Sequence, residues 1–225
     1  MDSKLTIAYA GTLMGYQPGD EKETFWQLLK EYCWEYFPKT CFHYTRSGYF
    51  LFKGLELFLT KYPNLASKLQ VEMWGSIRSL NAAQLEQMGL QGVVHISGKL
   101  SKSKTIRKLE QADILFLPLE SSLNGQPPLF IPGKLFEYLE LRKPILAVME
   151  ESEVSEILIK SGLGIIVSPF KAEEITDAIQ DLIENKERLN QIYAPNEALI
   201  HSFSFDATAD EFSNIFDDLI FNRGE

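Results

Sequence analysis

Residues 112–119 read ADILFLPL, and residues 131–149 read IPGKLFEYLELRKPILAVM. The core of the first stretch, residues 114–118, is apolar with no polar alternation. That is the pattern of a strand covered on both faces. In the second stretch, Pro132 and Gly133 open a helix over 133–141, and residues 144–149 (PILAVM) form another strand. Strand, helix, strand in succession is a parallel βαβ unit.

The same alternation runs outward in both directions. Residues 5–10 (LTIAYA) are a buried strand followed by a turn at Gly11-Thr12. Residues 69–74 (LQVEMW) end at Gly75, 93–97 (VVHIS) end at Gly98, and 164–167 (GIIV) form a short sixth strand. Helices are predicted over 79–88, 102–111, 152–161, 171–185 and 206–221. The helix at 152 starts at a good N-cap, Ser152, with Glu153 and Glu156 close behind. The fold class is α/β: a Rossmann-like parallel sheet of about six strands with helices on both faces. One domain over 1–225 accounts for the chain, with an insert at about 14–52 and a closing helix at 206–221. Within the insert, 24–37 and 49–62 read as helices and 38–48 as a loop, with no strand between them. The excursion leaves the carboxyl end of strand one, the edge where open α/β sheets bind ligands.

The chain has 225 residues, 45% apolar and 24% charged, with a net charge of −9. This composition excludes collagen, coiled coil and disorder. The longest apolar runs fall far short of the roughly 20 residues a membrane span needs, and no signal peptide opens the chain. Cys33 and Cys41 cannot form a disulfide framework or a four-ligand zinc site, which suits a reducing, cytoplasmic location. Residues 1–112 carry 14 basic and 10 acidic side chains, a balance of +4. Residues 113–225 carry 8 and 21, a balance of −13. The acidic half would repel nucleic acid and anionic lipid. The basic half, densest at Lys99, Lys102, Lys104, Arg107 and Lys108, can draw a small anion, although a solvated helix face is the plainer reading of that run.

Several chemistries lack their motifs. There is no Gly-x-Gly-x-x-Gly, no Walker A sequence and no His-Glu-x-x-His. His43, His95 and His201 have no nucleophile-elbow partner; His95, inside a strand, reads as structural. No Asp-x-Asp pair supplies a carboxylate clamp for a divalent metal, so no metal site is assigned. The informative feature is the helix opened by Pro132-Gly133. Its amino terminus offers free N–H groups and a positive dipole, a ready anion site. Lys134 adds a full charge there, and Glu137, one turn on, can accept two hydroxyls such as those of a ribose. The alternative is a surface Lys–Glu pair worth a few tenths of a kcal/mol.

PGKLFEYLELRKPIL, preceded by ADILFLPL and followed by SGLGIIVSPF, resembles the carboxy-terminal half of retaining GT-B glycosyltransferases (glycosyl transferases group 1 type). The opening IAYAGTL resembles their first donor-domain strand and glycine turn, and RSGYFLFKGLELF a helix in one branch with a long insert. The resemblance runs from about residue 5 to 187. It implies one half of a GT-B fold that binds a nucleoside-diphosphate sugar, with no other cofactor, for transfer to a hydroxyl acceptor with retention. Polysaccharide biosynthesis is the implied setting. A nucleotide-sugar epimerase of the same fold and a non-catalytic nucleotide-binding module are the alternatives.

The resemblance also implies roles. Glu137 would bind the donor ribose, and Gly11 and Thr12 would approach the diphosphate through their backbone. Gly133, Lys134 and Leu135 would face the phosphates or the sugar, and Ser97, Gly98 and Lys99 would meet the base. Arg46 and Lys134 would act on the leaving group, with Lys53, and secondarily Lys22, as further phosphate candidates. Leu129 stands where the family often has a glutamate that contacts the sugar. The acceptor would be held by an amino-terminal domain absent from this chain, which alone would be inactive. Any membrane contact would be peripheral, through that absent domain.

Overall fold

Two seven-residue runs, LTIAYAG and LQVEMWG, lie side by side in parallel register from Leu5↔Leu69 to Gly11↔Gly75. They belong to β1 (Leu5–Leu13) and β2 (Leu69–Ile77). The structure, a computed structural model, describes residues 4–18, 41–77, 79–122 and 130–221. Four further strands complete a parallel sheet: β3 (Val94–Ser97), β4 (Ile114–Pro118), β5 (Ile145–Val148) and β6 (Gly164–Val167). The strand order is β3-β2-β1-β4-β5-β6, the doubly wound order of two mononucleotide-binding halves. The apolar run of β4 is buried at every position, as its lack of alternation requires.

Alternation along each strand sends side chains into two cores. Ile7, Tyr9, Val71, Met73 and Phe116 face α1 (Tyr49–Lys61), α2 (Ser79–Gln87) and α6 (Ala172–Glu184). Ala8, Trp74, Leu115 and Leu117 face the opposite layer. That layer is α3 (Lys102–Glu110), α4 (Gly133–Glu140), α5 (Glu153–Lys160) and α7 (Glu197–Ser202). Ser152 caps α5 through a reciprocal pair of bonds with Ser155, and Asn196 caps α7. In α1, Gly54 lets α6 approach: a Cβ there would collide with Ile175, and Thr176 donates to the Gly54 carbonyl at 2.9 Å. The closing helix α8 (Phe205–Phe221) lies outside both cores, with Phe205, Phe212, Phe216 and Ile220 exposed. Among the described residues no helix is long and apolar enough to cross a membrane.

Two expectations need correction. Gly11-Thr12 is not a turn, since β1 continues through Leu13 and stays paired to β2 as far as Leu13↔Ile77. Gly11 and Gly75 instead permit a close approach within the sheet, at φ of +148° and +132°. A Cβ on Gly75 would collide with the Gly11 carbonyl oxygen. Secondly, the insert does contain a strand. Cys41–Phe42 pairs antiparallel with Ser121–Ser122, just past β4. The returning backbone needs hydrogen-bond partners, and the exit of β4 supplies them. The 24–37 helix expectation falls outside the described residues, as do Lys22, Cys33 and Leu129.

The glycine pair yields a stability prediction. Gly75→Ala forces a side chain into a disallowed φ and against backbone, so it should cost at least about 2 kcal/mol. Gly92→Ala, where a Cβ meets nothing within 4 Å, should stay within about 0.5 kcal/mol of the parent. Urea unfolding of the two variants makes the comparison, and equal losses would refute the close-approach argument.

Candidate functional site

The strand order reverses between β1 and β4, so the loops leaving their carboxyl ends part and open a crevice. A cleft of about 270 Å³ lies there. The ends of β1 (Ala10, Gly11, Thr12) and β2 (Trp74, Gly75, Ser76) form its floor. Lys99, Leu100 and α3 form one wall; Glu137 and Tyr138 of α4 form the other. Tyr138 is fully buried, and its phenol oxygen accepts from the Ala10 amide at 3.4 Å, fixing α4 against the end of β1. Burial pushes the Tyr138 phenol above its ordinary range.

Lys134 does not pair with Glu137. Its ammonium lies 3.9 Å from the centre of the Tyr9 ring, in the space that a Cβ on Gly11 would occupy. Tyr9 is oriented by its own hydroxyl, which donates to the Thr12 carbonyl at 2.8 Å. The cation–π contact favours the charged ammonium, but burial and the neighbouring Arg46 guanidinium work against it. The Lys134 pKa is lowered to about 8, with Glu137 opposing the shift. No carboxylate lies within ion-pair distance of Lys134 among the described residues.

Arg46 reaches the same place from the insert. Its carbonyl accepts from the Met14 amide at 3.0 Å, and Ser47 bridges to Met14 in parallel. Its guanidinium donates to Glu120 at 2.8 Å. Asn81 holds both ends of the insert, taking the Gly48 amide and donating to the Met14 carbonyl at 3.0 Å each.

The structure thus brings Gly11, Thr12, Lys99 and Glu137 to one cleft, with Lys134 and Arg46 beside it. Ser97 and Gly98 are exposed at the exit of β3, next to Lys99. Gly133 is exposed as the first residue of α4 with open space around its Cα. Leu135 is different. Its side chain is fully buried in the core and its amide already donates to Pro132 at 2.9 Å, so it has nothing to offer a ligand. Lys53 pairs with Glu56 along the partly exposed face of α1 and does not line the cleft. His95 is exposed on the edge strand β3. Among the described residues no group of three His, Cys, Asp or Glu side chains could hold a metal ion.

Sequence reasoning missed Tyr9, Trp74, Gly75, Asn81 and Glu120. The equal spacing from Leu5 to Gly11 and from Leu69 to Gly75 was a usable signal for the glycine pair. Nothing local marks Glu120 or Asn81, because their partners lie 74 and 33 residues away.

The comparisons with known proteins agree with this geometry. A family model described as glycosyl transferases group 1 matches residues 40–185, more than half of the chain. No curated protein matches the chain. Among solved structures, Anabaena HepE in complex with UDP superposes with a TM-score of 0.61 at 12% identity, over 96% of this chain and 49% of that one. S. aureus TarM, as a variant in complex with Fondaparinux, alpha-GlcNAc-glycerol and UDP, gives 0.61 at 14% identity, over 95% and 36%. An alpha,alpha-trehalose 6-phosphate synthase from Burkholderia multivorans gives 0.66 at 10%, over 98% and 44%. At such identities the likeness is one of fold, and the chain spans half or less of the length of these three proteins. The family match, the doubly wound sheet and the cationic cleft at its switch point converge: the chain belongs to the glycosyl transferases group 1 family.

Proposed function

We propose that this chain is the donor-binding half of a glycosyltransferase that moves a sugar from a nucleoside diphosphate to a hydroxyl acceptor, retaining the anomeric configuration. The observation that carries the reading is the pair of cations at the exit of β1, Lys134 and Arg46, beside a cleft walled by Glu137. Glycosyl transfer breaks the bond between the anomeric carbon and the diphosphate, and negative charge grows on the leaving oxygens. A guanidinium can hold two phosphate oxygens at once, and the ammonium supplies a point charge beside it. The amino terminus of α4 adds N–H groups and its dipole. Preorganised positive charge in a partly desolvated cleft needs no metal to stabilise the leaving group.

Glu137, exposed on the cleft wall, accepts the two ribose hydroxyls in this reading. The backbone at Gly11 and Thr12 faces the diphosphate, and that of 97–99 meets the base. The acceptor is bound by a second Rossmann-like half, and the location in this reading is cytoplasmic, any membrane contact being peripheral and through that half.

Binding tests the donor. UDP, GDP and ADP titrated calorimetrically should include at least one binder, UDP being the first choice because the HepE and TarM structures contain it. Glu137→Ala should weaken that binding by roughly 1–3 kcal/mol, the cost of losing charge-assisted hydrogen bonds. An unchanged affinity would remove Glu137 from the ribose.

A pH series tests Lys134. With a free-state pKa near 8, Lys134 is largely charged at pH 7 and loses its proton as pH rises. Bound diphosphate favours the charged form, so binding should take up a proton near pH 8 and weaken by about tenfold per pH unit above it. Lys134→Met should flatten the profile. In the free chain Lys134 binds its proton more tightly unfolded than folded between pH 8 and 10.5, so its contribution to stability should rise with pH across that window, and Lys134→Met should remove that rise.

Turnover tests Arg46 in the complete two-domain enzyme. Arg46→Ala and Arg46→Lys should each lose on the order of tenfold to a thousandfold, as for removal of one electrostatic stabiliser. EDTA should leave the parent rate unchanged. Turnover of Arg46→Ala within about twofold of the parent would return Arg46 to a structural role.

A further inference from the structure

Glu120 is a carboxylate at the mouth of a site built for an anion. Its side chain is only 7% exposed, against 35% for the Arg46 that it binds at 2.8 Å. A negative charge in that place opposes a diphosphate, and an ion pair of this kind adds little net stability over an apolar replacement. Its presence calls for a reason other than stability. The surrounding bonds supply one. Thr45 donates to the Leu119 carbonyl at 2.9 Å and accepts from the Ser121 amide at 2.7 Å. The Cys41–Phe42 ribbon pairs with Ser121–Ser122. The return leg of the insert is therefore locked, residue against residue, to the segment leaving β4. Within that lock Glu120 meets Arg46 side chain to side chain, while Met14 holds the Arg46 carbonyl at 3.0 Å. Arg46 is tied to the exits of both β1 and β4, the two strands that flank the crevice.

We propose that Glu120 is a positioning residue: it presents the Arg46 guanidinium to the diphosphate of the bound nucleotide sugar. The inference rests on the donor reading above. The contact to Glu120 uses Nη1, whereas a guanidinium carries five N–H donors in a rigid fork. In this proposal the N–H groups that Glu120 does not take are left for the anion, in an orientation set before it binds. An arginine arm left free would lose rotamer freedom on each encounter and bind the anion less well.

The test has two arms on this chain. In the free protein, the Arg46 guanidinium N–H signals in nitrogen-15 spectra, identified by their absence in Arg46→Ala, should show hindered rotation. Glu120→Ala should abolish that signature and Glu120→Gln, which keeps an acceptor oxygen, should preserve it. In the second arm, Glu120→Ala should weaken UDP binding about tenfold or more, Glu120→Gln should recover to within about threefold, and Glu120→Ala should have no further effect in an Arg46→Ala background. Unchanged guanidinium signals in Glu120→Ala, tighter UDP binding by that variant, or an equal loss with and without Arg46 would each overturn the proposal. If the parent bound no UDP, the donor reading would fall by the second arm, while the first arm still decided whether Glu120 holds Arg46.

Discussion

The side chain that Gly11 lacks leaves a space at the end of β1, and the Lys134 ammonium fills it. The rest of the site depends on that substitution of one group for another. Gly11 sits across from Gly75, so β1 and β2 run past the point where a side chain would have pushed them apart. Lys134 comes from α4 on one face of the sheet and reaches Tyr9, whose ring belongs to the core of the other face. The contact carries a positive charge over the strand end, and among the described residues no carboxylate pairs with it. Burial then lowers the cost of losing that proton, which is why the lysine titrates near 8.

The second cation is held by different means. Lys134 is placed by a helix, whereas Arg46 is placed by an excursion that leaves and rejoins the sheet. An excursion is free to vary unless its backbone is tied down. Here Asn81 fastens its two ends together, and Thr45 and the short ribbon fasten it to the exit of β4. Both Asn81 and Thr45 are fully buried, with their polar atoms engaged across long sequence separations. The Arg46 charge reaches both groups: it helps burial to lower the Lys134 pKa, and it opposes the rise that burial gives the Tyr9 phenol. In the proposed donor reading, an anion with two charged phosphates would relieve the repulsion between Arg46 and Lys134.

How much of this was legible beforehand follows physical lines. Ile114–Pro118 and Gly164–Val167 could be read to the residue, because apolar runs bounded by turn residues carry their own boundaries. The helix at Gly133–Glu140 was marked by its proline and glycine, and the family resemblance of 131–149 by contiguous residues. Gly11 was recognised as special but given the wrong local role. A glycine reads as a turn when seen alone and as a close approach only when its partner across the sheet is known.

Local pattern alone therefore determined the α/β class, the six strands and the helix that carries Lys134 and Glu137, while the family followed from the resemblance of 131–149 and its flanks to known proteins. The class and the elements are properties of neighbouring residues, set by hydrophobic periodicity and by backbone preferences at proline and glycine. Tertiary structure decided three things: that Lys134 turns to Tyr9 and not to Glu137, that Arg46 rather than Lys53 joins it, and that Glu120 stands behind Arg46. Each rests on residues separated by 74 or more positions or on a choice between rotamers of one long side chain. Only the packed sheet, with its order reversing between β1 and β4, brings those groups within bonding distance.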